Sequence, residues 1–316
     1  MEQSDLTEAL NREGFFFQKY CAEKIKESGW SVETEEYPIS KDESFDIKAT
    51  LVLFETALHI VAVECKRSDP KRKRWAFFRQ EPSTAETQKF VIQTHNLTST
   101  KGGFLKRGFV MRGVYEGLNE EKLGFPCCHT VGLEIFKEDE KDKRDWKANP
   151  QAVYSACLTV AKGINHLFDS EAQRTLNTLR IGEKRLQEWK EKLRMPYFLG
   201  GTLVPAVITS APILSVTSDP NDMDIETFRV PHEKAHYQDK EWLVYEFPLP
   251  LELQLESRDF FTTVGESRYA KMHIFIVNGK HVKRFFECLG EAIKTRSKKS
   301  YRALAVEYQE FYKGKK

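Results

Sequence analysis

The stretch LHIVAVECKRSDP, residues 58–70, begins as an apolar run and ends in charged residues. Its first part is typical of a buried β-strand, and Glu64 and Lys66 follow at alternate positions near its end. Strands are depleted in glutamate and lysine, and neither residue is usually buried unless it is paired. Since side chains alternate between the two faces of a strand, Glu64 and Lys66 project from the same face. This end of the strand is therefore the leading candidate for a functional site.

A second strand, SFDIKATLVLF, precedes the first after a very short connection. If residues 55–57 form a three-residue loop, Asp46 lies opposite Lys66 and Lys48 lies opposite Glu64, so that Asp46 shares a face with the other two. A two-residue loop places Asp46 on the opposite face. The apolar alternation does not decide the loop length, and we expect three residues. The other face is then apolar and consists of Phe45, Ile47, Ala49, Leu51 and Leu53.

Two carboxylates and a lysine at one end of a hairpin suit metal-dependent chemistry on phosphates. Hard divalent ions such as Mg²⁺ prefer oxygen ligands and keep several waters, so Asp46, Glu64 and the peptide carbonyl of Cys65 are candidate ligands. Such an ion polarises a phosphodiester and acidifies a bound water. Lys66 then orients that water or neutralises charge in the transition state. The alternative is a structural ion pair, which is common on strands and weakly stabilising.

Asp46 followed by Glu64-Cys65-Lys66 at the end of an apolar strand resembles the motif of the PD-(D/E)xK nucleases. The segment GFFFQKYCAEKIKESGWSV, residues 14–32, is similar to the first core helix of that family. The resemblance implies an α/β restriction-endonuclease-like core of a helix, a three-strand meander, a helix and a strand. It also implies cleavage of phosphodiester bonds in DNA or RNA, with Asp46 and Glu64 holding Mg²⁺ (or Mn²⁺) and Lys66 as the catalytic lysine.

Two positions depart from the family pattern. Many members carry a glutamate on the first helix, where this chain has Gln18. Glutamine can hydrogen-bond a metal-bound water or a ligand carboxylate, but it brings no negative charge and so weakens the case for a second metal. Phe45 stands where the motif has proline. A catalytically silent relative that binds nucleic acid or a protein partner therefore remains the alternative.

The resemblance extends loosely to a helix around residues 150–168 and to the strand VPAVITSA. We therefore expect a nuclease-like core over residues 1–215, with an insertion at about 70–148. Over residues 216–316 we expect a C-terminal α+β region, either separate or packed on the same core. An apolar stripe with helical spacing in that region is typical of a core helix or of a homodimer surface. The stripe consists of Phe285, Phe286, Leu289 and Ile293.

A basic run directly follows Lys66 and leads into aromatic residues. Cations bind phosphates, and aromatic rings stack on unpaired bases, so the run favours contact with nucleic acid; a solvated basic loop is the alternative. DNA is favoured over RNA because most relatives implied by the resemblance act on DNA. The predicted phosphate-binding residues are Arg67, Lys71, Arg72 and Arg74, and the aromatic residues are Trp75, Phe77 and Phe78.

A weaker alternative is a zinc peptidase, because HEKAH, residues 232–236, has the H-E-x-x-H spacing. Zinc binding requires His232 and His236 to lie one turn apart on a stable helix, with Glu233 as the general base. Pro231 precedes the segment and a strand-like run follows it, so we expect an exposed polar turn.

Composition and cysteine spacing limit the class of protein and its cellular compartment. The net charge of +2, with 30% charged residues, does not indicate a partner by itself. Six irregularly spaced cysteines favour reduced core residues and an intracellular protein. The first residues lack the layout of a signal peptide, and no apolar segment is long enough to span a membrane. We expect a cytoplasmic, metal-dependent nuclease.

Overall fold

The structure is a computed structural model. It describes residues 7, 10, 14–53, 57–80, 91–98, 110–114, 128–137, 146–181, 198–224, 226–227, 229–253, 255–257, 267–269 and 271–295. Its helices are α1 (Phe15–Glu27), α2 (Gln151–Ile181) and α3 (282–295). The strands are β1 (Ser31–Pro38), β2 (Ser44–Leu53), β3 (Ala57–Lys66), β4 (Lys73–Gln80), β5 (Val91–Thr98), β6 (Val110–Val114), β7 (Cys128–Lys137), β8 (Trp146–Asn149), β9 (Phe198–Thr209), β10 (Ile213–Thr217), β11 (His236–Lys240), β12 (Trp242–Pro248), β13 (Leu255–Ser257), β14 (Ser267–Tyr269) and β15 (Lys271–Asn278).

A mixed sheet of 13 strands runs through the described part of the chain. Its main path is β1-β2-β3-β9-β15-β12-β7-β4-β10-β11, and β5, β6 and β8 attach beside this path. β3, β9 and β15 are parallel neighbours that end in register at Lys66, Thr209 and Asn278. β2 is antiparallel to β3, so its first residues lie at this same edge of the sheet. The fold thus brings Asp46 to the edge where Glu64 and Lys66 lie.

The prediction of a small α/β restriction-endonuclease-like core is wrong, because this large sheet dominates the protein. β4 and β7 come from the predicted insertion, and β12 and β15 come from the C-terminal region, yet all four lie within the main path of the sheet. β12 and β15 are buried along almost their whole length. Strands that are apolar on both faces need neighbours on both sides and cover on both faces, and only an interior position in the sheet provides this.

Helices α1 and α3 cover one face of the sheet. Cys21, Ala22 and Ile25 form the buried stripe of α1, at the spacing expected for one helix face. Gly29, with a φ of 85°, follows the helix in the left-handed conformation typical of a C-terminal stop. The apolar stripe of α3 joins the same cluster, so its prediction as core is confirmed; it consists of Phe285, Phe286, Leu289 and Ile293.

Helix α2 covers the other face of the sheet. Its apolar residues recur every three or four positions and pack on side chains from β3, β9, β12 and β15. Two glycines allow the helix to lie close to the sheet. Gly132 of β7 leaves room for Val153 of the helix, and Gly163 of the helix leaves room for Phe45 of β2. Among the described residues, no helix is long and apolar enough to cross a membrane.

The hairpin of β2 and β3 has a different register from the predicted one. Lys48 pairs with Ala62 rather than with Glu64, a displacement of two residues. Residues 54–56 connect the strands and lie outside the described part of the chain. Because the displacement is even, it preserves the faces of the strand. The cluster beneath α1 therefore contains the predicted apolar residues Ile47, Ala49, Leu51 and Leu53.

Phe45 is the exception to the predicted face. Its ring stacks on Tyr37, with 5.0 Å between ring centroids, and is buried in the cluster beneath α2. The pairing of β2 with β3 ends at Ile47 and Val63. Residues before Ile47 are therefore not fixed by β3, and Phe45 can turn to the other face. Phe45 therefore anchors the residue that precedes Asp46 to helix α2.

We expect Gly163→Ala to destabilise the protein although alanine favours helix. A Cβ atom at Gly163 would lie 2.6 Å from Cδ1 of Phe45, whose ring is fully buried. Overpacking costs about 1–3 kcal/mol, which outweighs the gain of about 1 kcal/mol in helix propensity. Urea denaturation should show a lower free energy of unfolding. In the Phe45→Leu background the same substitution should be neutral or stabilising, and an equal loss in both backgrounds would contradict this contact.

Candidate metal-binding site

Three predicted site residues meet at the edge of the sheet where β3 ends. The Nζ atom of Lys66 lies 2.6 Å from Oε1 of Glu64. The backbone N–H of Cys65 donates to Oδ2 of Asp46 at 2.5 Å, which holds the Asp46 carboxylate beside the strand that carries Glu64. The side chain of Glu64 is nearly buried, whereas that of Lys66 is 39% exposed. The structure thus places a half-exposed ammonium group over a buried carboxylate.

Gln18 reaches the same site from α1. Its Nε2 donates a hydrogen bond to the main-chain carbonyl of Asp46 at 3.1 Å, and the residue is buried. The contact joins the first turns of α1 to the start of β2. Gln18 therefore holds the backbone of Asp46 in position, and this contact is made with the main chain rather than with the carboxylate.

Burial strongly perturbs the two carboxylates. The pKa of Glu64 is raised to about 7 by burial and by the charge of Asp46, and the nearby Lys66 only partly offsets this shift. Burial likewise raises the pKa of Asp46, although the hydrogen bond from the Cys65 N–H and the charge of Lys66 each lower it. Although burial lowers the pKa of Lys66, the Glu64 and Asp46 carboxylates together raise it above its usual value. Lys66 therefore stays protonated and acts as a hydrogen-bond donor, and its single positive charge does not balance both carboxylates.

One oxygen of Glu64 lacks a partner. Among the described residues, Oε2 of Glu64 is buried and accepts no hydrogen bond. A buried acceptor without a partner costs roughly 1–3 kcal/mol, and more when it is charged. A hard divalent cation that takes oxygen ligands would satisfy this atom and neutralise the second carboxylate. Asp46 and Glu64 therefore fit a metal ion such as Mg²⁺.

The protein supplies few ligands at this site. Within the described ranges, no group of three or more His, Cys, Asp and Glu side chains is arranged to hold a metal ion. An ion bound by Asp46 and Glu64 would keep several waters, as Mg²⁺ usually does in proteins. The thiol of Cys65 packs towards the core, where burial and contact with Cys21 raise its pKa. That thiol stays protonated, so the predicted ligand at Cys65 remains its peptide carbonyl.

The basic run lies next to the site, but its cations differ in exposure and in their partners. Arg67 and Lys71 are exposed. Arg72 lies 3.7 Å from the Asp69 carboxylate, and Arg74 is half-buried in β4. The prediction that the aromatic residues after the run stack on bases is wrong for two of them. Trp75 and Phe77 are fully buried in the core, whereas Phe78 is 38% exposed.

Sequence reasoning missed a buried carboxylate that supports the loop after Lys66. Glu134 of β7 accepts hydrogen bonds from Ser68 Oγ at 3.4 Å, Lys73 Nζ at 3.0 Å and Trp75 Nε1 at 3.3 Å. Ser68 also exchanges two hydrogen bonds of 2.6 Å with Ser210, directly after β9. These contacts tie the loop after Lys66 to β7 and to the end of β9. A glutamate inside the apolar run VGLEIF was the available signal.

The HEKAH segment does not form the helix that a zinc peptidase requires. His232–Lys234 is a single 3₁₀ turn, and His236 begins strand β11. Lys234 pairs with Asp222 at 3.1 Å, and His236 is exposed. The two histidines are therefore not presented one α-helical turn apart, as zinc binding by this motif needs.

No protein-family model, curated protein or solved structure matches this chain. The resemblance to the PD-(D/E)xK nucleases therefore depends on the motif residues alone. Beyond the motif, the site is characterised by the contacts and the perturbed pKa values of Asp46, Glu64 and Lys66.

We expect the metal-free protein to lose stability as the pH rises through about 7. Burial raises the pKa of Glu64 to about 7 in the folded state, from about 4.3 in an unfolded chain. The protonated side chain contributes stability that is fully present below the unfolded pKa and is lost as the pH rises through the folded pKa. The loss attributable to Glu64 is about 4 kcal/mol, spread between the unfolded and the folded pKa.

Urea denaturation in EDTA between about pH 5 and pH 8 measures this dependence. Glu64→Gln keeps a neutral side chain of the same shape, so it should remove this part of the pH dependence. Glu291→Gln, at an exposed position of α3, is the matched control. The same pH dependence in the wild type and in Glu64→Gln would contradict the assigned burial of charge.

Proposed function

We propose that this protein is a metal-dependent nuclease that hydrolyses phosphodiester bonds in nucleic acid, with DNA favoured over RNA. The observation that carries the proposal is the buried pair of carboxylates, Asp46 and Glu64. One oxygen of Glu64 has no partner among the residues that the structure describes, and the half-exposed Lys66 lies beside it. The motif resembles that of the PD-(D/E)xK nucleases, which favours the same chemistry. The irregular spacing of the cysteines, and the free thiols of Cys21, Cys65, Cys157 and Cys288 within the described ranges, support a cytoplasmic location.

Each residue of the site has a distinct role in the proposed reaction. A divalent ion, when bound by Asp46 and Glu64, supplies Lewis-acid activation of the phosphate and of a water. Glu64 holds the ammonium group of Lys66 in place through its other oxygen, Oε1. Because the pKa of Lys66 is raised, Lys66 stays charged. It therefore donates a hydrogen bond to the attacking water or to the phosphate, and does not act as the base.

The loop after Lys66 provides the contact with the substrate backbone. Arg67 and Lys71 are exposed there and carry the charge that phosphate binding requires. Ser68 anchors the loop between them through Ser210 and Glu134. A loop that is fixed at its centre presents its cations at a constant distance from Asp46 and Glu64, which suits positioning of a phosphodiester.

A catalytically silent binding protein is the second candidate. It is favoured by Gln18, which adds no charge to the site, and by the absence among the described residues of a larger metal-binding cluster. Such a protein would use the same basic loop to bind nucleic acid or a protein partner, without cleavage and without need of a metal. The zinc peptidase is not retained, because HEKAH lacks its helix.

Lys66→Ala should abolish Mg²⁺-dependent cleavage. The loss of the only cation that contacts Glu64 in the described structure removes the donor to the water and the phosphate, and we expect a fall of at least about 100-fold in rate. The assay compares single-stranded DNA, duplex DNA and RNA in Mg²⁺, Mn²⁺ and EDTA. Lys271→Ala is the matched control, since Lys271 also pairs with a strand carboxylate but lies at the opposite end of β15.

Three results of this assay lead to different conclusions. Cleavage by the wild type and by Lys271→Ala, with none by Lys66→Ala, supports the nuclease. Cleavage that survives in Lys66→Ala contradicts the assigned role of this lysine. Binding of nucleic acid in EDTA without cleavage by the wild type in either metal would replace the nuclease with the silent binding protein.

Direct metal binding should depend on both carboxylates. We expect calorimetric titration with Mn²⁺ to detect a site whose affinity falls about tenfold or more in Asp46→Asn and in Glu64→Gln. Glu241→Gln is the control, because Glu241 pairs with Arg284 at the surface, at 2.6 Å. The same Mn²⁺ affinity in all four proteins would show that Asp46 and Glu64 do not bind the metal.

A further inference from the structure

Three aromatic rings on the first two turns of α1 are exposed to solvent. Phe15 is 44% exposed, Phe16 46% and Tyr20 43%. Phe17, between them, packs against Gly279 instead, where a Cβ atom would lie 2.7 Å from its ring. Exposed apolar side chains that cluster on a soluble protein commonly mark a binding surface. We call Phe15, Phe16 and Tyr20 the aromatic face of α1.

The aromatic face lies beside the candidate metal-binding site. A Cβ atom at Gly14, which precedes the helix, would be 3.4 Å from Cβ of Arg67, directly after Lys66. Gln18 bonds to the backbone of Asp46. Phe15 is three residues before Gln18 and therefore on the same side of the helix. With a rise of about 1.5 Å per residue, it lies about 4.5 Å further along the axis, towards Arg67.

The rings are arranged as neighbours rather than scattered. Phe15 and Phe16 meet edge to face, with 6.5 Å between their centroids. Phe16 and Tyr20 are four residues apart, so they are adjacent on the helix surface. Lys24 continues this line, with its Nζ 5.8 Å from the centre of the Tyr20 ring and 2.7 Å from Oε1 of Glu27. The result is a strip of two rings and a cation, with a third ring next to the site.

The charge around the aromatic face favours an anionic ligand. Residues 15–22, FFFQKYCA, include a lysine and no carboxylate. The amino end of a helix carries partial positive charge, and the exposed cations Arg67 and Lys71 lie on the loop beside Gly14. A protein partner would need apolar side chains for the rings and carboxylates for the cations in one matching arrangement. Nucleic acid uses both features, because its bases stack on rings and its phosphates bind cations.

We propose that the aromatic face of α1 stacks unpaired bases, and that the substrate class of the site is single-stranded nucleic acid. The inference rests on the proposed nuclease function and adds the form of its substrate. Bases inside a duplex are covered by their neighbours and cannot stack on a protein ring, whereas unpaired bases can. A nucleic-acid strand that stacks on Phe16 and Phe15 follows the helix to its amino end, where Gly14 lies against Arg67 of the loop after Lys66.

The test measures binding separately from cleavage. Fluorescence anisotropy of the full chain in EDTA compares a labelled single-stranded oligonucleotide with the duplex of the same sequence. Phe16→Ala/Tyr20→Ala should weaken single-strand binding by at least about tenfold, whereas duplex binding should change little. Tyr237→Ala removes a ring that is 61% exposed on β11 and is the matched control. Phe16→Tyr, which keeps a ring, should bind like the wild type.

The outcomes separate this inference from the proposed function. Loss of single-strand affinity in the double variant, with the control unchanged, supports the stacking surface. Unchanged single-strand affinity in the double variant overturns it, and the nuclease stands if the wild type still cleaves in Mg²⁺. Absence of both binding and cleavage by the wild type overturns the stacking surface together with the proposed function.

Discussion

The burial of the Glu64 carboxylate is the constraint on which the arrangement of this site depends. Glu64 lies near the end of β3, between β2 and β9, and clusters of apolar side chains cover both faces of the sheet. A charged carboxylate in such surroundings is costly unless it is neutralised. Lys66 provides one positive charge, but Asp46 brings a second negative one. The fold thus maintains a local excess of negative charge that a divalent cation would relieve, at an edge open enough for Lys66 to reach solvent.

A second buried glutamate shows that burial alone does not define a functional site. Glu134 is as deeply buried as Glu64, but three donors, Ser68, Lys73 and Trp75, satisfy its oxygens. Its hydrogen bonds are internal and leave no requirement for a ligand. Glu64, in contrast, retains an oxygen without a partner among the described residues. Glu134 and Glu64 therefore differ in how completely the described part of the protein satisfies their hydrogen bonds.

Part of this arrangement could be predicted from local patterns in the sequence. Alternation placed Glu64 and Lys66 on one face, and helical spacing identified the buried stripe of α3. The register of the hairpin was missed, because a shift of two residues leaves every alternation unchanged. The role of Glu134 depends on Ser68, which is 66 residues away, and no local pattern reports such a contact. Trp75 was misread because the basic run before it resembles a surface, although its own strand is buried.

The fold class was missed for a related reason. Several strands were recognised from their own composition, but the order of strands in a sheet depends on which strands need neighbours on both sides. β12 and β15 are buried along almost their whole length, and this pattern is typical of interior strands. Read together, the two patterns indicate a single wide sheet. The expected family core had no place for these two strands, and so the width of the sheet was missed.

The contacts of α1 give the site and the aromatic face a fixed spatial relation. Gly14 adopts a φ of 81° at the start of the helix, which favours glycine, and the chain there lies against Arg67. Phe17 is held against Gly279, and Gln18 against the backbone of Asp46. Contacts on three sides prevent the helix from rotating independently of the sheet. The exposed rings therefore keep a constant distance from the carboxylates. A nucleic-acid strand stacked on them would bring the same part of its backbone to Lys66 each time it binds.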